Sequence, residues 1–466
     1  MHRPLLQVSA RILRWGVLVF FGGLLALGCN LSGDQSRGYL QGQITVRSDV
    51  DASDDYSGFR VLVLEAEGRS LDTLASAETD REGRFATPVT APERGIYTLT
   101  VWGRRGREKL ASTDYVVADG DSATLNLTLP LRGRRVGVRS QENAALDAYR
   151  NTLAQHRRSL VKDLQSDATT SDAMSRRIRQ TSSVLWRLQE TFPGTYASEL
   201  AAIESLSLLA GWDDSLVVER VHSIEPTNPR YVEGVQIGRR AAARFEGQAA
   251  ALDLLDTFAA RARTGVQRAG VEAARIQLFI DSLDAEAALS AAEDLRTNHP
   301  NTKWAEWADR ATYEVKNLLP GMEAPPLSAR TLAGDSLSLR ALRGRPVVLE
   351  FFAPGDDLYG RQLATRNALY RGTRADSVAF VSVSVRPDTL LYRALVNNRS
   401  HPGHSVIAPE GREDPIVEAY NVARVPTRFL IDAEGRLVGR YQGSAFLALQ
   451  EDLATLVDRS LPVDQK

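Results

Sequence analysis

Cysteine is nearly missing from this chain. Its 466 residues contain one, Cys29. That count leaves no room for an intramolecular disulfide framework, a cysteine-based zinc site or a Cys-x-x-Cys redox pair. Neither sign of charge is in excess: 57 Lys and Arg against 58 Asp and Glu give −1. The concentrated basic face that nucleic-acid phosphates require is therefore not expected. Long apolar runs are scarce as well. The stretch Trp15 to Leu27 is shorter than the about 20 residues a membrane-spanning helix needs, and no other run could anchor the chain. No Gly-x-Ser-x-Gly, Walker or His-Glu-x-x-His motif supports hydrolase or nucleotide chemistry. The remainder is ordinary globular material, 43% hydrophobic and 25% charged, and the length predicts roughly two to four domains.

Arg3, Arg11 and Arg14 precede the apolar stretch and Gly28-Cys29 follows it, the arrangement of a cleaved export signal. The ending Leu25-Ala26-Leu27-Gly28-Cys29 resembles the lipobox of bacterial lipoproteins, with Ala26 and Leu27 exchanged relative to the commonest order. The resemblance implies a signal peptide over residues 1–28 and a diacylglyceryl group on Cys29, so that the membrane is a partner through lipid. Two or three acyl chains on one residue make a stable anchor. Asn30, rather than aspartate, follows. By analogy with enterobacterial sorting, this places the protein at the outer membrane of the envelope, on its periplasmic or surface face, rather than at the inner membrane. Residues 29–38 read as a lipidated tether.

From residue 39 to 130 short alternating runs recur, among them Gln43-Ile44-Thr45-Val46, Arg60-Val61-Leu62-Val63-Leu64 and Tyr97-Thr98-Leu99-Thr100-Val101-Trp102. Period-2 alternation bounded by turn residues predicts half-buried strands, about seven of them, and so an all-β sandwich. Thr79-Asp80-Arg81-Glu82-Gly83-Arg84-Phe85 and Gly95-Ile96-Tyr97 resemble the carboxypeptidase regulatory-like sandwich, a likeness of fold and not of chemistry. The acidic turns read as turn stabilisers, since no EF-hand-like ligand spacing is present. Residues 131–142 read as a basic linker. Over 143–318 the period becomes 3.6, with Phe192-Pro193-Gly194 and Glu225-Pro226-Thr227 interrupting helices. The helix Ala285 to Leu295, the turn His299-Pro300-Asn301-Thr302 and the helix Trp304 to Leu318 resemble tetratricopeptide-type hairpins, which bind protein partners or space domains. No regular 34-residue period marks an array.

Residues 319–462 change character again. Val347-Val348-Leu349-Glu350-Phe351-Phe352-Ala353 and Val378 to Val385 are nearly continuous apolar runs, as in strands of an α/β sheet buried on both faces. A helical stretch, Gln362 to Tyr370, lies between them. Phe429-Leu430-Ile431-Asp432, the turn Ala433-Glu434-Gly435 and a return strand Arg436 to Tyr441 form a hairpin, and a helix with Phe446, Leu449, Leu453 and Leu456 on one face ends the chain. Several motifs occur in order: Pro320-Gly321-Met322-Glu323-Ala324-Pro325, Gly334-Asp335-Ser336-Leu337-Ser338-Leu339, Phe351-Phe352-Ala353, Val425-Pro426-Thr427 and Glu434-Gly435-Arg436. Together they resemble a thioredoxin-fold domain of the redoxin type, specifically the membrane-anchored TlpA-like thiol–disulfide oxidoreductases.

That family's chemistry needs Trp-Cys-x-x-Cys after the Phe-x-Ala strand end, with the first thiolate stabilised at a helix N-terminus. The chain reads Phe351-Phe352-Ala353-Pro354-Gly355-Asp356-Asp357-Leu358-Tyr359-Gly360 instead. Asp356 holds the nucleophile's place and Tyr359 the resolving one; a shift by one residue gives Asp357 and Gly360. Neither register supplies sulfur, peroxiredoxin chemistry fails equally, and Cys29 is far upstream. No residue is left to name as catalytic. The resemblance does place Val425-Pro426 where the family keeps a cis-proline beside an extended-peptide groove. It also puts Glu350 near a buried acid, whose pKa is expected to rise by desolvation. Asp356 and Asp357 read as helix caps, and His401-Pro402-Gly403-His404 reads as a loop and not a metal site. No cofactor and no metal are expected.

The function these readings imply is a redox-inactive, membrane-anchored envelope lipoprotein whose cysteine-less domain binds protein or extended peptide through Val425, Pro426, Asp356, Asp357 and Glu350. Two alternatives stand beside it: a thiol–disulfide oxidoreductase that works only with thiols from a partner, and a structural or adhesive surface lipoprotein. Metabolic labelling with palmitate in a bacterial host should label the protein, and Cys29→Ser should abolish the label. Label retained in that variant would remove Cys29 as the anchor.

Overall fold

The computed structural model describes residues 35–67, 70–104, 106, 108–131, 136–164, 171–373, 377–387, 389–397, 401–443 and 445–460. The signal segment 1–28 and Cys29 lie outside them. Among the described residues no helix is long and apolar enough to cross a membrane. The chain is multidomain and divides into two compact units, one ending at Phe245 and the other continuing from Glu246.

In the first unit β1 (Ser36–Val46), β2 (Arg60–Glu67), β3 (Ser70–Glu78), β4 (Arg84–Ala91), β5 (Gly95–Trp102), β6 (Lys109–Val117), β7 (Ser122–Leu129) and β8 (Val138–Arg139) form two sheets, ordered β4-β1-β7-β8 and β3-β2-β5-β6. Strict alternation in β4 and β7 turns Phe85 and Val89, and Leu125 and Leu127, inward. There they join Leu40, Val61 and Leu99 in one core. Gly42 is required by this packing, since a Cβ on it would lie 1.8 Å from the Leu125 carbonyl oxygen of the paired strand. Two boundaries differ from expectation. Residues 36–38 of the expected tether already belong to β1, and the expected linker 131–142 contains β8 and the first helical residues. In the latter the Arg-rich composition masks Val138, whose burial draws β8 onto β7.

Helices come next: α1 (Gln141–Leu164), α2 (Ser171–Trp186), α3 (Leu188–Thr191), α4 (Tyr196–Leu209), α5 (Asp214–Val221) and α6 (Tyr231–Phe245), and in the second unit α7 (Gln248–Arg261), α8 (Gly265–Asp281), α9 (Ala285–Asn298) and α10 (Lys303–Asn317). Local chemistry sets several starts. Thr195 caps α4, and Thr264 with Gln267 forms a capping box on α8. The helical segment expected as one block is thus shared between two units. Its last helix is fastened to the C-terminal part of the second unit: the Tyr313 hydroxyl donates to the Ala419 carbonyl (3.0 Å), Asn421 Nδ2 to the Arg310 carbonyl (2.9 Å), and Arg440 pairs with Glu314 at 2.5 Å.

The rest of the second unit comprises β9 (Ser328–Arg330), β10 (Ser336–Ser338), β11 (Val347–Phe352), α11 (Asp357–Gly372), β12 (Ala379–Ser384), α12 (Thr389–Asn397), β13 (His404–Ile407), α13 (Pro415–Ala419), β14 (Thr427–Ile431), β15 (Leu437–Gln442) and α14 (Phe446–Ser460). The five-stranded sheet has the order β13-β12-β11-β14-β15, its first three strands parallel and β14 and β15 antiparallel. All six side chains of β11 and of β12 are buried. Leu349, Phe351 and Phe429 serve one face, while Val348, Phe380 and Leu430 meet Phe446 and Leu449 on the other. Helix α11 begins five residues before the expected Gln362, because Asp356 caps it and Gly360 is tolerated inside it.

Gly42→Ala should destabilise the first unit by about 3 kcal/mol, the upper range for overpacking a rigid site. A urea midpoint unchanged from wild type would contradict the close approach of β1 to β7.

Candidate functional site

The second unit holds one densely polar place, and it starts from Glu350. Five of the six β11 residues are apolar, so the strand enters the core and carries its single acid with it; Glu350 is 1% exposed. Strand register then lines up polar neighbours. Glu350 faces Ser382 on β12 and Arg428 on β14, and Ser382 faces Ser405 on β13. A row of polar side chains crosses four strands of an otherwise apolar sheet.

Helix α11 lies over this row. The Asp356 carboxylate accepts from Tyr359 N–H at 2.8 Å and so occupies the helix N-terminus. Asp357 is exposed in the first turn. Tyr359, Gln362 and Arg366 recur at helical spacing and point inward. Arg366 Nε donates to Glu350 Oε1 (2.8 Å), Nη2 to Ser382 Oγ (2.9 Å) and Nη1 to the Pro402 carbonyl (2.7 Å). Ser382 Oγ donates to Glu350 Oε1 at 2.7 Å, the Tyr359 hydroxyl to the same oxygen at 3.1 Å, and Arg428 Nε to Oε2 at 3.1 Å. The Tyr392 hydroxyl donates to the Ser382 carbonyl at 2.9 Å.

His401 closes the network. Its Nε2 is hydrogen-bonded to the Tyr359 hydroxyl, and its ring stacks on Phe352 with centroids 5.1 Å apart. Which of Nε2 and the hydroxyl donates follows from the imidazole tautomer. Tyr359 also stacks on Phe352 at 4.3 Å, and the Arg428 guanidinium lies over the Phe446 ring at 4.7 Å.

One acid between two arginines decides the protonation states. Burial opposes ionisation of Glu350, but the Arg366 and Arg428 guanidiniums outweigh it and hold the carboxyl below its usual range. This reverses the expected rise: the sequence shows that Glu350 is buried but not that two cations meet it. Burial, with Arg366 beside it, pushes His401 down to about 4 and keeps it neutral. Burial and the Glu350 charge push the Tyr359 phenol well above its ordinary range. The site therefore offers no activated nucleophile. It holds charge and fills space.

The structure brings Glu350 and Tyr359 into direct contact and leaves Asp356 and Asp357 at the rim. Val425–Pro426 is a cis peptide. Pro426 precedes β14, whose Thr427 faces Phe351, so it lies beside the C-terminal end of β11. The Pro426 carbonyl accepts from Gly443 N–H at 2.8 Å. Val425 packs partly buried against the core. His401 and His404, read as a loop pair, separate: His401 joins the buried network and His404 opens β13. Arg366, Arg428 and Ser382 were not singled out from the sequence. The one local signal was a charge inside Thr427-Arg428-Phe429-Leu430-Ile431, matching the charge inside β11. Among the described residues no group of three or more His, Cys, Asp or Glu could hold a metal ion.

This sheet and its flanking helices form a thioredoxin-like domain. A stretch of 137 residues, 29% of the chain, is 26% identical to the thiol-disulfide oxidoreductase ResA of Bacillus thuringiensis (strain Al Hakam) and covers 75% of that protein. The corresponding protein of Halalkalibacterium halodurans is 23% identical over 137 residues, 76% of its length. Among solved structures, a thiol-disulfide oxidoreductase from Bacteroides fragilis NCTC 9343 matches with 22% identity and a TM-score of 0.26, over 28% of this chain and 98% of that one. No family model matches the chain.

Glu350→Ala should cost about 3–5 kcal/mol, because two buried guanidiniums would lose their counter-charge; urea unfolding checks this. The acid dependence has a defined sign. His401, depressed from 6.5 to about 4, contributes stability that is complete above pH 6.5 and is lost as pH falls through 4. Glu350, depressed from 4.5, contributes stability above pH 4.5 that is lost in stronger acid. In His401→Gln the loss between pH 6.5 and 4 should shrink, and an unchanged acid profile would place that titration elsewhere.

Proposed function

We propose that the thioredoxin-like domain is a redox-inactive module that binds protein or extended peptide, carried by an envelope lipoprotein anchored at Cys29. The observation that carries this reading is Tyr359. At the position of the family's resolving thiol stands a phenol that is 3% exposed, stacked on Phe352 and hydrogen-bonded to Glu350. At the nucleophile's position Asp356 spends its carboxylate on the helix cap. Dithiol exchange needs two sulfurs within reach of each other, and this pocket is packed shut with aromatic rings. Asp357 and Arg424 are exposed and Val425 is half-buried, which suits edge recognition of an extended chain. On the same reading the two sheets of the first unit are a carboxypeptidase regulatory-like sandwich, and the helices are tetratricopeptide-like hairpins that space or dock partners.

The relatives named thiol-disulfide oxidoreductases favour a second reading, a subunit of such an enzyme that borrows thiols from a partner. Insulin reduction by the full chain with dithiothreitol separates the two. The binding module should give no turnover above a no-protein control, and turnover would overturn it. Reduced, carboxymethylated insulin B chain serves as an extended-peptide probe. Fluorescence anisotropy should detect its binding, weakened in Val425→Asp, whereas no binding in the wild type would remove the peptide-binding reading.

A further inference from the structure

The sheets and helices of the first unit meet at a joint with two acids and one arginine. The turn between β4 and β5 presents Arg94, the first turn of α1 presents Glu142, and the first turn of α4 presents Glu199. Arg94 Nη2 is 3.2 Å from Glu199 Oε2, yet neither atom has an aligned hydrogen bond. Glu142 Oε2 accepts from Tyr196 N–H at 2.8 Å, so an acid of one helix caps the next. The Arg94 guanidinium lies 5.5 Å over the Tyr196 ring. Asn143 Oδ1 accepts from Val116 N–H at 3.2 Å, joining α1 to β6. Beneath these contacts Val116, Ala145, Leu146 and Ala197 form a small apolar floor.

We propose that this joint is operated by a proton: with Glu199 protonated the sheets and helices lock together, and with both acids ionised the contact loosens. The groups that face Glu199 support this. Arg94 is the cation nearest to it, while Glu142 is a like charge beside it. Glu93 from the same turn and Arg230 before α6 act on the neighbouring Tyr196, and Asp121 from the β6–β7 turn adds negative charge at Glu142. One arginine cannot neutralise two carboxylates. Burial, against the pull of Arg94, pushes Glu199 from 4.5 up to about 7. A raised carboxyl binds its proton more tightly in the closed state. Its contribution to closure is therefore complete below pH 4.5 and is lost as pH rises through 7.

Hydrogen exchange on the full chain reads the joint through the amides of Tyr196 and Val116, both held by side chains across it. After correction for intrinsic exchange, the opening equilibrium at these two amides should grow roughly seventyfold between pH 5 and 8 in the wild type. Glu199→Gln should abolish that growth. Glu142→Gln, which keeps the cap acceptor but removes the like charge, should move the transition to lower pH. The same pH profile in the wild type and Glu199→Gln overturns the proposal. Should Glu199→Gln fail to fold, an unmoved transition in Glu142→Gln overturns it instead.

Discussion

The Glu350 carboxylate held between Arg366 and Arg428 is the constraint on which the C-terminal domain depends. It is one group, but it ties together β11, β12, β14, α11 and the His401 segment. Taking an acid and two guanidiniums out of water costs several kcal/mol per ion, which mutual attraction returns only if the remaining donors and acceptors are also satisfied. Here Oε1 has three donors and Oε2 one, and Arg366 is spread over a carboxylate, a hydroxyl and a backbone carbonyl. Such a network adds specificity more than net stability. A one-residue slip of β11 would carry Glu350 to the other sheet face, into the cluster of Phe351, Tyr420 and Phe429. The network therefore fixes the register of the central strand.

The same network decides what the domain can do chemically. A thioredoxin-type centre uses the free N–H groups and dipole at a helix N-terminus to stabilise a thiolate. In this chain a carboxylate on Asp356 already takes that position. Behind it, Tyr359, Phe352, Tyr392 and His401 fill the space with rings that contact one another. A dithiol can alternate between a closed disulfide and two free sulfurs because its surroundings accept both states. A phenol fixed by Glu350 and His401 has one arrangement. The polar interior of the domain is committed to holding its sheet and helix together.

How far the sequence discloses this depends on the range of the interaction. Strands β11, β12 and β14 are visible as apolar runs because burial on both faces is a local property of composition. The start of α11 is only half visible: Asp356 reads as a cap, but Gly360 interrupts the helical pattern, which becomes plain only from Gln362. The direction of the Glu350 shift is further out of reach. Burial is legible in Val347–Phe352, but its sign is set by Arg366, 16 residues away, and Arg428, 78 residues away. His401 illustrates the same point. Its neighbours Pro402 and Gly403 announce a loop, and nothing local says that the loop delivers an imidazole to a phenol. Tyr359 stands in the right place in the alignment of motifs, yet its position alone does not disclose its partners.

Protonation in this molecule follows the count of buried charges more than the identity of any residue. Where one acid meets two arginines, as at Glu350, attraction exceeds desolvation and the acid stays ionised. Where two acids share one arginine, the balance tips the other way. Glu199 beside Arg94 and Glu142 is raised, and so is Glu204, which shares Arg230 with Glu233. Both raised acids lie on α4. The helix therefore carries its titratable load where it meets its neighbours, while the C-terminal domain hides a charge that does not titrate near neutrality. Two parts of one chain, built from the same residue types, thus respond to pH in opposite directions: the first is held more tightly by added protons, and the second is held by their absence.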